Sequence, residues 1–526
     1  MANDKVPDMP SGQEPTIHGS TMGAAAPHIA SEKAAADEEK PAALELERSN
    51  THNSEAAKEA RRHQHIEALG IPDWQAKEKK IVRTLDMTLL PQLWILYMFN
   101  YLNRTNIAQA RLDDDFEATL NLGDTDYSTA VALLTVGYML AQLPSNMLIT
   151  RVRPALYLPA CAILWSGVSA ATAAVKSPQE LFAVQFVLGI IEAPLFPGAV
   201  YLMSCWYTRR ELALRTALLY SGLVLAQAFS GLIAAGVFSG MSGAAGIAGW
   251  KWLFVLEAAL SAFFALTAFF ILPNYPSSKN GGAMWSMTEE MRRIAVARIE
   301  ADRVEQATES TVWHGLRLAL TDVKTYIFIF MNIFMTSSYG FNNFFPTMVR
   351  GFGLGSSTMA LVLTAPPYIL GTIVSFFVAW SSDRKKERGF HIMANNCISI
   401  TGFVISVATL STPARYTAAF LYTSGSFSAN ALVYTWAVSS LNQTPEKRAA
   451  GGAIVNIMGH LGNVISPYFF PDSHSPRYTM AMILQIVFAG LTFCMAFTSK
   501  TYLKRQNKKL RAIADQNGTV YNPFTT

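Results

Sequence analysis

The stretch LDMTLLPQLWILYMFNYLNRTNIAQA, residues 85–110, decides the class of this protein. It is rich in large apolar side chains and exceeds the roughly 20 residues that an α-helix needs to cross a bilayer. Arg104 nevertheless lies inside it. A charged side chain at mid-membrane costs roughly 2.5–3.5 kcal/mol on insertion scales, so it normally faces other helices or a water-filled path and has a partner. We therefore expect a bundle of membrane helices around Arg104.

The composition of the whole chain agrees with a membrane protein. Of its 526 residues, 51% are hydrophobic and 15% are charged, whereas soluble proteins carry about 25% charged residues. The charges cluster in the tails and between long apolar segments, which is typical of a chain that crosses the membrane many times. The four cysteines all lie in apolar segments without C-x-x-C spacing. Neither a disulfide nor a metal site is therefore predicted.

Twelve apolar segments predict an all-α polytopic membrane protein, with twelve transmembrane helices in two six-helix lobes. The segments are 85–110, 127–149, 154–175, 180–203, 214–238, 251–273, 322–345, 357–380, 391–411, 415–438, 448–470 and 479–499. The predicted domains are a flexible tail (1–76), an N-terminal lobe (77–275), a polar linker (276–321), a C-terminal lobe (322–499) and a basic tail (500–526). In the linker, Ser286-Met-Thr-Glu289 fits a capping box. It predicts an amphipathic helix on the membrane surface over about 288–306.

The distribution of Lys and Arg predicts the topology. They concentrate in the loops after segments 2, 4, 8 and 10, in the linker and in the C-terminal tail. By the positive-inside rule, both termini and the linker are cytoplasmic. We expect a multi-pass protein of the plasma membrane, with a vacuolar or other internal membrane left open. Six plus six spans is the arrangement of a two-lobed secondary transporter that binds its substrate between the lobes, although channels and membrane enzymes can also have twelve spans.

One candidate partner for Arg104 lies well inside the other N-terminal segments, namely Glu192 in segment 4. The N–H donors of a guanidinium form a planar fork whose geometry matches the two oxygens of a carboxylate. Arg104 is expected to bind either Glu192 or an anionic substrate, and protonation of Glu192 would free Arg104 for the anion. The alternative is a static ion pair that holds segments 1 and 4 together. Pro194 and Pro197 follow Glu192 and predict a kink there, which either lines a cavity or serves packing.

Further polar residues inside the segments are candidates for substrate binding. Asn456, His460 and Asn463 are spaced four and three residues apart, which places them on one face of a helix. The remaining candidates are Gln227 in segment 5, Asn342 in segment 7, and Asn430 and Tyr434 in segment 10. Asp383 and Arg384 directly follow segment 8 and form either a gating latch or a cluster of charges that sets the topology.

Several motifs in this chain resemble those of one transporter family. They are Tyr101-Leu-Asn-Arg-Thr-Asn106, Leu188-Gly-Ile-Ile-Glu192-Ala-Pro-Leu-Phe-Pro197-Gly, Trp206-Tyr-Thr-Arg-Arg-Glu211, Gly249-Trp-Lys-Trp-Leu-Phe-Val-Leu-Glu257 and Leu272-Pro-Asn-Tyr-Pro276. In this order, over about residues 81–500, they resemble the major facilitator superfamily and, within it, the anion:cation symporters of the fungal allantoate-permease-like branch. The motifs are specific for the family and not for a substrate.

The resemblance implies proton-coupled movement of organic carboxylates, such as allantoate-like ureides, the vitamins nicotinate, pantothenate and biotin, and sugar acids. It implies that Arg104 contacts the substrate carboxylate, that Glu192 carries the proton, and that Asp383 and Arg384 take part in gating.

The sequence departs from the family pattern at two positions. Asn103 stands where the family often has Asp, and Gln185 stands where it often has Arg. Together the two changes leave no orphan charge in the membrane. A contact between Asn103 and Gln185 could replace an ion pair, and both are candidate substrate-site residues. Proton coupling, and its stoichiometry, are then open.

We expect an importer that moves a small organic anion together with protons. The alternative is an exporter of a fungal secondary metabolite on the same fold. A nutrient sensor is disfavoured because the tails are short and simple, and an enzyme is disfavoured because the chain has no nucleophile–base pairing, no His/Cys metal spacing and no phosphate loop. The expected partners are the anion, protons and the lipid bilayer, without nucleic acid, metal or cofactor. The protein is expected to act as a monomer.

Overall fold

The fold is that of a computed structural model. It describes residues 59, 62–149, 151–278, 287–302, 312–441, 445–517 and 523–526, which form helices joined by turns and contain no β-strand. The chain divides into two compact units, residues 1–64 and residues 65–526. In the first unit, Arg62 and Glu59 form an ion pair at 3.5 Å. The second unit contains all the predicted membrane segments.

Each of the twelve predicted segments is occupied by a helix or by two consecutive helices. We name them spans 1 to 12: Leu89–Ala110, Asp126–Ile149, Pro154–Thr172, Pro178–Glu192 with Leu195–Trp206, Arg209–Met241, Gly249–Ile271, Val323–Ser338, Ser357–Lys385, Gly389–Ala408, Thr412–Ser440, Pro445–Gly459 with Leu461–Ile465, and Thr479–Asn517. Shorter helices are Trp74–Met87, Asp114–Leu120, Glu289–Asp302, Val312–Leu320 and Phe345–Arg350.

The spans differ in apolar character. Eight helices of the described chain are long and apolar enough to cross a membrane, or nine if the bent pair Trp313–Leu320 and Val323–Arg350 counts as one span. Spans 1, 10 and 11 do not meet this criterion. Spans 1 and 10 carry Arg104 and Asn430, and span 11 is divided at His460 into helices of 15 and 5 residues. Polar side chains lower the apolar character of a helix, and a bundle tolerates them where neighbouring helices cover them.

The spans pack in two groups of six. In the first group, span 1 packs against spans 5 and 6, span 2 against span 4, and span 3 against spans 4 and 6. In the second group, span 7 packs against spans 10, 11 and 12, span 8 against span 10, and span 9 against spans 10 and 12. Between the groups, span 2 packs against span 11 and span 5 against span 8. The predicted fold, two six-helix lobes, is confirmed.

The two lobes meet at one end of the bundle. We call this end the far side, and the end at which the linker joins spans 6 and 7 the linker side. Polar contacts between the lobes at the far side are Tyr127–Asn343, Ser128–Pro467, Thr129–Tyr468 and Asp114–Arg350, with distances of 2.7–3.2 Å. Span 5 approaches span 8 so closely that a Cβ added at Gly231 would lie 2.4 Å from Thr364 Oγ1. The conformation is therefore closed at the far side.

The linker helix Glu289–Asp302 differs from its prediction. We expected it on the membrane surface, but it packs against the helix Trp74–Met87 and the N-terminal lobe, with one apolar face buried. Arg298 on this face is fully buried and donates to the carboxylate of Glu211. Of the predicted capping box, Ser286 lies outside the described residues, and the hydroxyl of Thr288 accepts a hydrogen bond from a backbone N–H of the first turn. The helix is thus anchored to protein through a buried charge.

Candidate functional site

A buried ion pair lies inside the N-terminal lobe. Arg104 Nε donates to Glu192 Oε2 at 2.6 Å. The side chain of Glu192 is 0% exposed, whereas that of Arg104 is 16% exposed. The guanidinium carbon also lies 4.3 Å from the ring centre of Tyr138 and 5.3 Å from that of Tyr101. A carboxylate and two aromatic faces therefore stabilise the charge that first marked span 1.

The shape of span 4 determines where Glu192 lies. Its first helix ends at Glu192, and Pro194 precedes the second helix, so the helix is interrupted at the predicted position, although Pro178–Trp206 still counts as one continuous span. Proline cannot continue the hydrogen-bond pattern of the preceding turn. One turn before Glu192, Gly189 touches the backbone of span 2, where an added Cβ would lie 2.0 Å from Leu134 O. Because small residues allow two backbones to approach, this contact fixes the position of Glu192.

Span 11 brings the C-terminal lobe to the same place. The ring of His460 meets that of Tyr138 edge to face, with 5.3 Å between the ring centres. Asn463 Nδ2 lies 3.3 Å from His460 Nδ1. Tyr138, which no sequence argument had selected, is thus placed between Arg104 and His460. The structure brings Arg104, Glu192, His460 and Asn463 together at the junction of the two lobes.

The two departures from the family pattern do not form a contact with each other. Asn103 Nδ2 donates to Phe99 O at 2.8 Å, and Ser169 Oγ donates to Asn103 Oδ1 at 2.6 Å. Gln185 is buried, and its side-chain oxygen has no hydrogen-bond partner among the described residues. The suggested contact between Asn103 and Gln185 is therefore wrong, because span 1 itself and span 3 satisfy the amide of Asn103.

Two further candidates contact tyrosines next to span 7. The O–H of Tyr339 donates to Gln227 Oε1 at 3.4 Å, which joins span 5 to the end of span 7. The O–H of Tyr368 donates to Asn342 Oδ1 at 2.8 Å within the C-terminal lobe. Gln227 is therefore a second polar position at the lobe junction, whereas Asn342 is held inside one lobe.

The remaining substrate candidates lie apart from this group. Asn430 and Asn456 are half-buried, and Tyr434 is 39% exposed. Within the described chain, none of the three side chains hydrogen-bonds to the side chain of Arg104 or of His460, although the backbone N–H of His460 donates to Asn456 O at 3.3 Å. Their assignment to the substrate site stays a prediction.

The candidate gate makes its contacts within the C-terminal lobe. Asp383 lies 3.6 Å from Arg388, measured between the carboxylate and the guanidinium. The guanidinium carbon of Arg384 lies 5.4 Å from the ring centre of Trp380. Both Asp383 and Arg384 are exposed. Their role in gating stays a prediction.

Sequence reasoning missed one acid in the N-terminal lobe. It selected Glu192 alone, yet Glu257 of span 6 is 1% exposed and equally far from solvent. Asn106 of span 1 is the polar group that faces it. The signal was available in the sequence, since Glu257 lies eight residues inside the apolar helix Gly249–Ile271.

Two six-helix lobes that enclose charged and polar side chains at their junction define a membrane transporter. The sequence profile described as Major Facilitator Superfamily matches residues 93–467. The chain belongs to this superfamily and is a multi-pass membrane transporter of the major facilitator type.

Known proteins similar to this chain are transporters as well. The chain is 30% identical to the MFS-type transporter cnsO of Penicillium expansum, over 84% of this chain and 86% of the relative. It is 29% identical to the major facilitator-type transporter hxnP of Emericella nidulans, over 82% and 87%. Among solved structures, a bacterial homologue of the human lysosomal transporter Spinster, inward-facing and unoccupied, superposes with a TM-score of 0.64. It is 17% identical and covers 79% of this chain and 97% of its own, which shows the fold.

Proposed function

We propose that this transporter imports a small organic carboxylate together with protons, by alternating access, and that it functions as a member of the anion:cation symporter branch. The observation that carries the proposal is the buried pair of Arg104 and Glu192, which joins an anion-binding group to a group that can take up a proton. Transport then requires that proton binding at Glu192 and anion binding at Arg104 favour each other.

The geometry of the pair suits a competition of this kind. Arg104 uses only Nε toward Glu192 within the described chain, although a guanidinium has five N–H donors. The arginine side chain is partly exposed and Glu192 lies behind it, fully buried. A substrate carboxylate can therefore approach the terminal nitrogens from the open side and form a forked pair. Protonation of Glu192 removes its negative charge and leaves the arginine free to bind that carboxylate.

The surroundings of Arg104 support a substrate class. Tyr138 and Tyr101 offer aromatic faces beside the guanidinium, and His460 and Asn463 offer hydrogen-bonding groups from the opposite lobe. A small carboxylate whose body is planar or rich in hydrogen-bonding groups, such as a vitamin or a ureide, matches these contacts. The charged loops favour a cytoplasmic linker side, so the far side would face the outside of the cell.

Uptake into proteoliposomes tests the proposal. We would offer radiolabelled allantoate, nicotinate, pantothenate, biotin and gluconate under an imposed pH gradient, with the membrane potential clamped. We expect one of these carboxylates to accumulate when the far side is acidic, and a protonophore to abolish the accumulation. Movement toward the far side alone would support the exporter, and uptake that ignores the gradient would refute proton coupling.

Three variants assign the roles. Glu192→Gln should lose gradient-driven accumulation and retain exchange of substrate, because glutamine cannot exchange a proton. Arg104→Lys keeps the charge and loses the fork, so the apparent affinity should fall roughly 10–100-fold, equivalent to about 1.4–2.8 kcal/mol. The exposed Glu180→Gln, at the start of span 4, is the matched control and should behave as wild type. Normal accumulation of substrate by Glu192→Gln would refute the role of Glu192 in proton coupling.

A further inference from the structure

Glu257 is a buried acid for which the proposed transport scheme has no use. It is the ninth residue of span 6, in the half of the helix nearer the far side. Its exposure is 1%, and neither carboxyl oxygen has a hydrogen-bond partner among the described residues. A buried polar group without partners is rare and asks for an explanation.

Charged and titratable groups around Glu257 do not neutralise it. Span 6 packs against spans 1, 3 and 5. Their described titratable side chains, together with that of span 6, are Lys251, Tyr97, Tyr101, Arg104, Tyr157, Cys161, Arg210, Glu211, Arg215 and Tyr220. None of these forms an ion pair or a hydrogen bond with Glu257. Arg104, the one cation of span 1, pairs with Glu192 instead.

The protonation state follows from this environment. An ionised carboxylate that is buried without a cation costs several kcal/mol, whereas a neutral acid costs far less and can share its proton in a hydrogen bond. The amide of Asn106 is 0% exposed, faces Glu257, and has neither of its own polar atoms satisfied. An amide can accept the O–H of an acid and donate to its carbonyl oxygen at the same time. A small side-chain adjustment would therefore pair Asn106 with a protonated Glu257.

Span 1 connects this acid to the transport site. Asn106 follows Arg104 by two residues, which places the two side chains about 200° apart around the helix. Span 1 thus presents Arg104 to Glu192 on span 4 and Asn106 to Glu257 on span 6. A rotation or tilt of span 1 that changes one contact changes the other.

We propose that Glu257 is a second proton-binding site of this transporter. It holds its proton as a neutral acid in the conformation closed at the far side, and it exchanges that proton with water when span 1 moves relative to span 6. The balance is one proton: the carboxylate takes it from one aqueous phase, becomes a carboxylic acid, and returns it to the other. The presence of the proton rests on the structure alone, and its coupling to substrate rests on the proposed function.

Infrared spectroscopy of the purified protein in lipid tests the first part without any substrate. At neutral pH the wild type should show a C=O band of a protonated carboxyl, which shifts in D2O. Glu257→Gln should lose that band, and the exposed Glu180→Gln should keep it. If Glu257→Gln does not fold, Asn106→Leu replaces it and should shift the frequency of the band, because the facing amide is gone. A band unchanged in Glu257→Gln, or in Asn106→Leu, overturns the proposal.

The second part is tested in the proteoliposomes with a carboxylate that the wild type accumulates. With the potential clamped, each coupled proton allows at most about tenfold accumulation per pH unit. The logarithm of the accumulation ratio should rise with the pH gradient with a slope of about 2 in wild type and about 1 in Glu257→Gln. An equal slope in both, or a wild-type slope of about 1, overturns the exchange of the Glu257 proton. If no carboxylate is transported, the proposed function fails, and the infrared result still decides whether Glu257 holds a proton.

Discussion

Replacing Gly189 by alanine should displace span 4 and with it Glu192, the proposed proton-binding acid. The added Cβ would lie 2.0 Å from Leu134 O and 3.0 Å from Tyr138 N, whereas ordinary contact begins at 3.4 Å. Spans 2 and 4 must therefore move apart by about 1.4 Å at this point. Glu192 lies one turn further along span 4. Its hydrogen bond to Arg104 is 2.6 Å long, and a shift of this size would break it. Tyr138, which stacks on the same guanidinium, would move as well.

The size of the effect can be separated from helix propensity by a matched variant. Gly167 lies within the helix of span 3, and a Cβ added there meets no atom within 4 Å. Gly167→Ala should stabilise the protein by up to about 1 kcal/mol, since alanine favours a helix more than glycine does. Gly189→Ala receives the same gain but also the cost of overpacking, typically about 1–3 kcal/mol. The difference between the two variants isolates the packing contribution.

Thermal unfolding in detergent and proton-driven uptake are the two measurements. We expect the melting temperature of Gly189→Ala to fall below that of Gly167→Ala by on the order of a few degrees. Uptake should fall more steeply than stability, because the ion pair is sensitive to displacements of this size. Equal melting temperatures and equal uptake in the two variants would refute the close approach of spans 2 and 4.

Two further predictions concern the ends of the bundle. Gly231→Val places a side chain where an added Cβ already lies 2.4 Å from span 8, so it should open the far side. A cysteine introduced at Thr129, in a background without native cysteines, should then be alkylated faster. Gly236→Val is the control, because a Cβ added there meets no atom within 4 Å, and it should leave the alkylation rate unchanged. On the linker side, burial would raise the pKa of Glu387, but the charge and the hydrogen bond of Lys500 at 2.5 Å, together with the hydrogen bonds from the Phe390 backbone and from His391, outweigh it, and the pKa lies below the ordinary 4.5. A lowered folded-state pKa contributes stability above pH 4.5 that is lost as the pH falls further. The melting temperature of Lys500→Met should accordingly fall less on acidification than that of wild type, and an equal dependence on pH would contradict the assigned pair.

Much of the fold could be predicted because a membrane helix is recognisable from a short, continuous stretch of sequence. Long apolar runs, prolines after Glu192 and polar loops between runs are each visible within about 20 residues. The linker helix was misplaced for a related reason. Its amphipathic pattern shows that one face is buried, but not whether lipid or protein covers it. Only the structure shows Arg298 paired with Glu211, far away in sequence.

The candidate site was harder to predict because it depends on which helix faces point at each other. Arg104 and Glu192 could be matched, since opposite charges inside a membrane need partners. Tyr138 could not be selected, because a tyrosine in an apolar span gives no sign of stacking on a guanidinium. The pairing of Asn103 with Ser169 was missed for the same reason, since a serine in span 3 is one of many small polar residues.

Span 1, which carries Arg104 of the candidate site, is not apolar enough to meet the criterion for a membrane span. A helix that carries Arg104 and several asparagines inserts less favourably, so each polar group must find a neighbour within the lobe. Arg104 donates to Glu192, Asn103 accepts from Ser169, and Gln109 donates to Ser230 of span 5 at 3.1 Å. Asn106 differs because both of its polar atoms are unsatisfied while it faces an acid that is equally unsatisfied. Asn100, Gln142 and Gln185 each leave a single side-chain atom without a partner among the described residues, whereas Asn106 leaves both. An amide and an acid that face each other with no other partner therefore support the proposal that Glu257 holds a proton.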